Sequence, residues 1–232
     1  MIKKPNRLTL VEQVALQMEE LIERGHWKIG VKIPSEKELM QTFDVSRNTL
    51  REAIRALVHA GLLKSKQGKG TIVQSTSVLS VALNKHMEKS GLLDTLEVRL
   101  ALEQKAAALA AKRRTEDELD ELEKCIDLGV EALNKDNMDQ FIQADISFHK
   151  TILIMADNRL LYDLYDYMTD SIYESISNIL SVDSLASNET RIHKELLEAI
   201  RNQDSRKAEA YVNEYITTLK HRVKQLEEEK DV

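Results

Sequence analysis

An aspartate and a histidine in FIQADISFHK, residues 141–150, have types and spacing that could do chemistry. The stretch has the apolar periodicity of a helix, yet Asp145 and His149 occupy its apolar stripe. Residues four apart share one helix face, so the pair can ligate one ion or form a simple hydrogen-bonded pair. A buried carboxylate or imidazole needs a hydrogen-bond partner or a metal. The pair alone does not decide between these two interpretations.

Polar residues interrupt the apolar stripes of three further predicted helices in the same way. Arg99 and Glu103 lie in line with leucines and an alanine, His193 with Ile and Leu residues, and Tyr215 with Val and Ile residues. A lone histidine on an apolar face is usually a satisfied core residue, so no single position is decisive. If the helices pack together, these side chains share one polar pocket.

The elements that position these residues are all helical. From residue 78 to about 228 only helical periodicity is found, and Thr115 and Glu118 form a capping box. No Walker, GxGxxG or GxSxG motif is present. The pattern predicts an antiparallel helical bundle large enough to hold a cavity, with helices at 78–88, 92–113, 116–134, 137–156, 158–182, 188–202 and 204–228.

The N-terminal part has a different pattern of elements. Helices are predicted near 10–24, 35–42 and 46–60, and they are followed by two short strands joined by the Gly-rich turn SKQGKG. This order is that of a winged helix-turn-helix, with three helices and a β-hairpin wing. The predicted fold is therefore mainly α, with a winged helix-turn-helix domain over 1–75 and an all-α antiparallel bundle over 76–232.

The third helix carries the polar residues suited to nucleic acid. Ser46 is placed to cap it, and its first turn exposes Arg47, Asn48 and Arg51, with Thr49 nearby. A helix N-terminus favours phosphate, and Arg and Asn can make paired contacts to guanine and adenine edges. A solvated polar face would show similar residues, but the complete order of elements favours DNA binding.

Charge and cysteine content agree with this division. Residues 1–75 have a net charge of +5 and residues 76–232 a net charge of −11, which suits a nucleic-acid-binding head on an acidic body. The single cysteine, Cys125, excludes an internal disulfide and fits a reducing compartment. No apolar run has the length of a signal peptide or membrane span, so we expect a cytoplasmic protein without membrane contact.

The stretch IPSEKELMQTFDVSRNTLREAIRALVHAGLLKSKQGKGTIV resembles the DNA-binding domain of bacterial GntR-family transcription regulators, and the resemblance covers nearly all of 8–74. It implies that the DNA-facing positions are Lys37, Arg47, Asn48, Thr49, Arg51 and Gly68. Lys37 stands where close relatives often have Arg, which weakens base reading there and leaves a phosphate contact. Lys69 lies beside Gly68 at the wing tip, where it can touch the DNA backbone or minor groove.

The segments LEVRLALE, DISFHK, NRLL and HKELLEAIRNQD are similar to the FCD effector-binding domain of FadR-like GntR regulators. The resemblance implies a divalent metal (Zn, Ni or Mn) held by one Asp and three His, and a small carboxylate effector near Arg99. Asp145, His149 and His193 match three of the four ligands. Tyr215 replaces the fourth, and a neutral phenol is a poor ligand. Either three ligands hold the metal, or the metal is lost and Tyr215 donates a hydrogen bond to Asp145 or to the effector.

The sequence therefore predicts a ligand-responsive transcription regulator that binds a palindromic double-stranded DNA operator as a homodimer. Repression relieved by a small carboxylate, such as a sugar acid or hydroxy acid, is the expected mode. The predicted effector-binding residues are Arg99, Asp145, His149, His193 and Tyr215. Two alternatives stay open: a metal-dependent enzyme that uses Asp145, His149 and His193, and a constitutive DNA-binding protein with a vestigial pocket.

Overall fold

A computed structural model describes residues 8–66, 70–179 and 183–230. The chain forms two compact units, Met1–Lys85 and His86–Val232. The domain limits expected from sequence, 1–75 and 76–232, remain predictions.

The described residues 8–66 and 70–73 form three helices and a hairpin in the predicted order. The elements are α1 (Leu10–Glu23), α2 (Glu36–Phe43), α3 (Arg47–His59), β1 (Leu63–Lys66) and β2 (Gly70–Val73). The two strands are antiparallel, and their register runs from Leu63 opposite Val73 to Lys66 opposite Gly70. The winged helix-turn-helix expected from sequence is confirmed.

Local capping sets where these helices begin and end. The Ser35 hydroxyl accepts the Glu38 amide while Glu38 reaches back to the Ser35 amide, which completes the predicted capping box. Asp44 adopts a left-handed conformation (φ 50°) that ends α2 and forms the tight turn. The core between the elements is apolar and includes Val14, Met18, Ile22, Leu39, Leu50, Ala53, Leu57, Leu62 and Val73.

Among the described residues, eight helices follow the hairpin, and the first of them spans the boundary between the two units. They are α4 (Val78–Met87), α5 (Leu92–Arg113), α6 (Glu116–Asn134), α7 (Met138–Met155), α8 (Arg159–Tyr167), α9 (Thr169–Ile179), α10 (Asp183–Arg201) and α11 (Ser205–Lys230). The single helix predicted over 158–182 is wrong, because the described part is broken at the buried residue Met168. Helix α10 begins five residues earlier than predicted.

Packing in the second unit centres on α5 and α7. Helix α5 packs against α11 and α7, and α6 packs against α7 and α10. Small residues on α5 (Ala106, Ala107, Ala110 and Ala111) are fully buried and allow neighbouring helices to approach closely. No helix among the described residues is long and apolar enough to cross a membrane.

Candidate functional site

A cluster of polar side chains lies inside the helical bundle. Six of the residues singled out from sequence meet there from helices α5, α7, α10 and α11, and none is more than 5% exposed: Arg99, Glu103, Asp145, His149, His193 and Tyr215. The predicted convergence of these inward stripes is therefore present in the fold. The roles of the individual residues remain predictions.

Arg99 is the fixed positive charge of this cluster. Its Nε donates to Glu103 Oε1 at 2.8 Å, and its Nη2 donates to the Tyr215 hydroxyl at 3.3 Å. The third nitrogen, Nη1, has no hydrogen-bond partner among the described residues. A guanidinium that is fully buried with one open N–H edge is suited to gripping an anion.

Tyr215 connects the arginine to the aspartate. Its hydroxyl accepts from Arg99 and donates to the Asp145 carboxylate, with 3.3 Å to both carboxylate oxygens. The Tyr215 ring also stacks on His149, with 5.0 Å between ring centroids. The Tyr215 hydroxyl is thus a hydrogen-bond donor to Asp145, as expected if Tyr215 is not itself a metal ligand.

The donor set for a metal ion is also present. The Asp145 Oδ1 atom lies 3.7 Å from His149 Nε2 and 3.4 Å from His193 Nε2. Ligand atoms of these three residues all lie within 4.8 Å of one another, and both imidazole nitrogens lack hydrogen-bond partners among the described residues. Two orphaned buried nitrogens facing one carboxylate fit a divalent cation with three protein ligands.

The Glu103 carboxylate lies beside His149. The distance from His149 Nδ1 to Glu103 Oε2 is 3.1 Å, which is close enough for a carboxylate to orient an imidazole, although Glu103 Oε2 makes no hydrogen bond among the described residues. Burial holds the pKa of His149 and of His193 well below the usual value, so both rings are neutral and their nitrogen lone pairs are available. Burial likewise raises the pKa of Asp145 from 3.8 to about 7.

Two residues of the cluster were missed by the sequence reasoning. Glu189 on α10 and Tyr165 on α8 are both fully buried, and neither carboxylate oxygen of Glu189 nor the Tyr165 hydroxyl has a hydrogen-bond partner among the described residues. Glu189 lies one turn before His193 on the same stripe. Glu189 is the second residue of the helix predicted over 188–202, and its spacing of four from His193 is the sequence signal that places it on the buried stripe.

Beside Asp145 and His193 there is a cavity of about 10 Å³, with Cys125, Gly129 and Phe148 in its wall. This is the space for about one water, and it is too small for an organic acid. The pocket is therefore closed in this conformation, and a ligand larger than an ion requires the surrounding helices or side chains to move.

The N-terminal turn of α3 forms a second polar surface, on the other unit. Ser46 caps the helix through the Thr49 amide, and Arg47, Asn48 and Arg51 are exposed, as is Lys37 on α2. Glu36 lies 3.8 Å from Arg47 Nε and 3.4 Å from Arg51 Nε, so a carboxylate borders both guanidinium groups at this surface. Gly68 and Lys69, predicted at the wing tip, lie outside the described residues.

A winged helix-turn-helix with an arginine-rich third helix, joined to a bundle with a buried polar pocket, defines the class of DNA-binding regulators that respond to a ligand. Residues 10–73 match the family of bacterial regulatory proteins named gntR, and residues 94–218 match the FCD domain. The chain belongs to the GntR family of bacterial transcription regulators, in the branch that carries an FCD domain.

Similar proteins agree with this assignment. The chain is 31% identical over 212 residues to the "Putative L-lactate dehydrogenase operon regulatory protein" of Escherichia coli K12, covering 86% of this chain and 80% of that protein. It is 26% identical to the "HTH-type transcriptional repressor NanR" of Cronobacter sakazakii, over 92% and 85% of the two chains. A solved structure, the GntR protein of Streptococcus agalactiae, has a TM-score of 0.63 and 28% identity over 91% and 99%.

These findings confirm the prediction of a ligand-responsive DNA-binding regulator. The family and the named relatives are transcription regulators and not enzymes, so the enzymatic alternative is set aside.

Proposed function

We propose that this protein is a repressor that binds a palindromic operator as a homodimer and is released by a small hydroxy acid or sugar acid. The observation that carries the proposal is Arg99, a fully buried arginine whose Nη1 has no hydrogen-bond partner among the described residues. Its positive charge is retained, and a carboxylate is the anion whose geometry a guanidinium matches. Since its target is chromosomal DNA, such a repressor acts in the cytoplasm.

The metal ligands supply the second half of the effector site in this proposal. Asp145, His149 and His193 would hold the divalent cation, which when bound offers an open coordination position to an effector oxygen. Arg99 grips the carboxylate, and Tyr215 orients Asp145. A carboxylate with an adjacent hydroxyl suits such a site, because it presents two oxygens side by side.

The closed cavity supports a simple account of the response. An acid that enters only after the helices around Asp145 and His193 separate binds one conformation of the bundle better than the other. If the two conformations hold the two DNA-binding units of a dimer differently, the acid lowers operator affinity, and the operator lowers acid affinity by the same factor.

The function is tested by operator release. A duplex selected in vitro from random sequence serves as the operator, and fluorescence anisotropy reports binding during titration with lactate, glycerate and gluconate. The proposal predicts that at least one acid weakens operator binding, and that Arg99→Met removes this response. If operator binding is unaffected by any carboxylate and none raises the melting temperature, the protein is a constitutive DNA-binding protein.

Replacing Arg47 by alanine is expected to weaken operator binding by about 10- to 100-fold, since one base or phosphate contact contributes about 1–3 kcal/mol. The slope of log affinity against log salt should fall by about one if the contact is to phosphate. Arg24→Ala is a matched control, because the side chains of Arg24 and Arg47 are 67% and 68% exposed and each lies near a glutamate. Equal losses in the two variants would contradict the assignment of α3 as the reading helix.

Zinc binding is expected to depend on pH through Asp145. The metal requires the carboxylate, whereas burial raises the Asp145 pKa to about 7, so protons compete below neutrality. Zinc affinity should rise about tenfold from pH 6 to pH 8 in chelator-buffered titrations. A pH-independent zinc affinity would contradict competition between zinc and protons at Asp145.

In the metal-free protein the same group has the opposite dependence on pH. The folded state holds the proton more tightly than the unfolded state, so the stabilisation from Asp145 is present below pH 3.8 and is lost as the pH rises to about 7.

A further inference from the structure

Glu189 is a buried carboxyl group with no part in the proposed metal and carboxylate contacts. It is 0% exposed, although glutamate is almost never fully buried without a partner. Both of its carboxyl oxygens lack hydrogen-bond partners among the described residues. A buried carboxyl group without hydrogen bonds costs free energy, and a leucine at the same position would not carry this cost.

Glu189 lies close to the polar cluster that contains the proposed effector-binding residues. It precedes His193 by one turn on α10, so the two side chains lie on one helix face. Burial raises the pKa of Glu189, the nearby Asp145 raises it further, and Arg99 opposes the shift. Glu189 in turn contributes to the raised pKa of Tyr215, after burial and Asp145. It therefore shares the interior of the bundle with Asp145, Arg99 and Tyr215.

Glu189 nevertheless stands apart from the metal donors. The group of ligand atoms that lie within 4.8 Å of one another contains Asp145, His149 and His193 and does not include Glu189. A single ion placed among those three residues leaves the oxygens of Glu189 unsatisfied. A ligand that extends beyond the metal and Arg99 would supply their partners.

We propose that Glu189 is a specificity-determining residue that accepts hydrogen bonds from hydroxyl groups of the effector beyond the carbon next to its carboxylate. This rests on the proposed function, and it narrows the effector class from hydroxy acids in general to polyhydroxy acids. A carboxyl oxygen accepts hydrogen bonds in either protonation state, so hydroxyls suit it under all conditions. A second carboxylate on the ligand would meet Glu189 and Asp145 together, which disfavours dicarboxylic acids.

The test uses pairs of acids that keep the α-hydroxy acid end and differ only beyond it. These are glycerate against lactate, and gluconate against 2-hydroxyhexanoate, measured by isothermal titration calorimetry on the full chain with zinc. Both acids of a pair offer the same groups to the metal and to Arg99. The ratio of the two acids' affinities therefore measures the contribution of the outer hydroxyls alone. In the wild-type protein the polyhydroxy member of at least one pair should bind about tenfold or more tightly.

Two variants remove the acceptor to different degrees. Glu189→Leu should reduce the preference to within about twofold, and Glu189→Gln, which keeps one acceptor oxygen, should leave an intermediate ratio. Glu198→Gln is the control on the same helix, because Glu198 is exposed and pairs with Arg201; its ratio should equal the wild-type ratio. Glu189→Gln preserves shape and supplies the test if the leucine variant fails to fold.

The outcomes separate the inference from the function on which it rests. If hydroxy acids bind and release the operator but the affinity ratio is unchanged in both Glu189 variants, the role of Glu189 is overturned and the proposed function stands. The role is equally overturned if the wild-type protein binds the polyhydroxy member of neither pair more tightly than its partner. If no acid binds the wild-type protein, the proposed function fails and the inference fails with it.

Discussion

Arg99→Met is expected to destabilise the helical bundle by about 3–5 kcal/mol, because it leaves Glu103 buried without its counter-charge. Arg99 and Glu103 are 0% and 2% exposed, and the Nε–Oε1 distance of 2.8 Å is that of a close ion pair. The variant also removes the donor to Tyr215 and the proposed grip on the effector carboxylate. Urea unfolding followed by circular dichroism measures the change in the free energy of unfolding.

The control for this prediction removes both charges together. A variant with Arg99→Met and Glu103→Leu replaces the pair by apolar groups of similar volume, and such replacements are often neutral in stability. It should therefore recover most of the loss while remaining unresponsive to acids. A single variant that loses less than about 1 kcal/mol would show that Glu103 finds another partner or takes up a proton, and that the ion pair is not what holds the cluster.

His193→Asn is expected to weaken zinc binding by more than about 100-fold, since it removes one of three ligands and outer-shell partners alone account for 10- to 100-fold. The exposed His221 on α11 provides the matched control, and His221→Asn should bind zinc as the wild-type protein does. Competition against a chromophoric chelator gives both affinities. Equal zinc affinity in the wild type and in His193→Asn would contradict a metal site that includes His193.

The replacement of the fourth histidine by Tyr215 allows the opposite experiment. Tyr215→His places an imidazole where metal-binding relatives are expected to have their fourth ligand, so zinc affinity should rise. The same change removes the hydroxyl between Arg99 and Asp145, and it closes the position that an effector oxygen would occupy. Tighter zinc binding with a weaker response to acids is the expected combination, and it is measured by the same chelator competition and by operator anisotropy.

Much of this fold was predictable because local signals agree with the packing. Capping boxes at Ser35 and Thr115 mark helix starts, and the positions of α5 and α6 follow from periodicity to the residue. The break at Met168 was not predictable, because neither Gly nor Pro marks it. Tyr165 and Ile172 on either side of the break are both fully buried, and tertiary packing of this kind leaves no local mark in the sequence.

The candidate site was predictable in its main residues for a physical reason. Arg99, Asp145, His149, His193 and Tyr215 each stand where an apolar residue belongs, and such substitutions are costly unless the groups meet. Glu189 escaped because charged residues near a predicted helix start are normally solvated. The hydrogen bond from Tyr215 to Asp145 was one of the alternatives expected from the sequence, but periodicity gave no sign that Arg99 donates to the same hydroxyl.

The central claim is that one pocket and one DNA surface are thermodynamically coupled, and reciprocal titration tests it most directly. Operator affinity is measured with and without a saturating acid, and acid affinity is measured with and without saturating operator, on the zinc-loaded protein. The account predicts that both affinities fall by the same factor, about 5- to 150-fold, and that Arg99→Met abolishes the coupling. An acid that binds at the Arg99 pocket while operator affinity stays unchanged would contradict it.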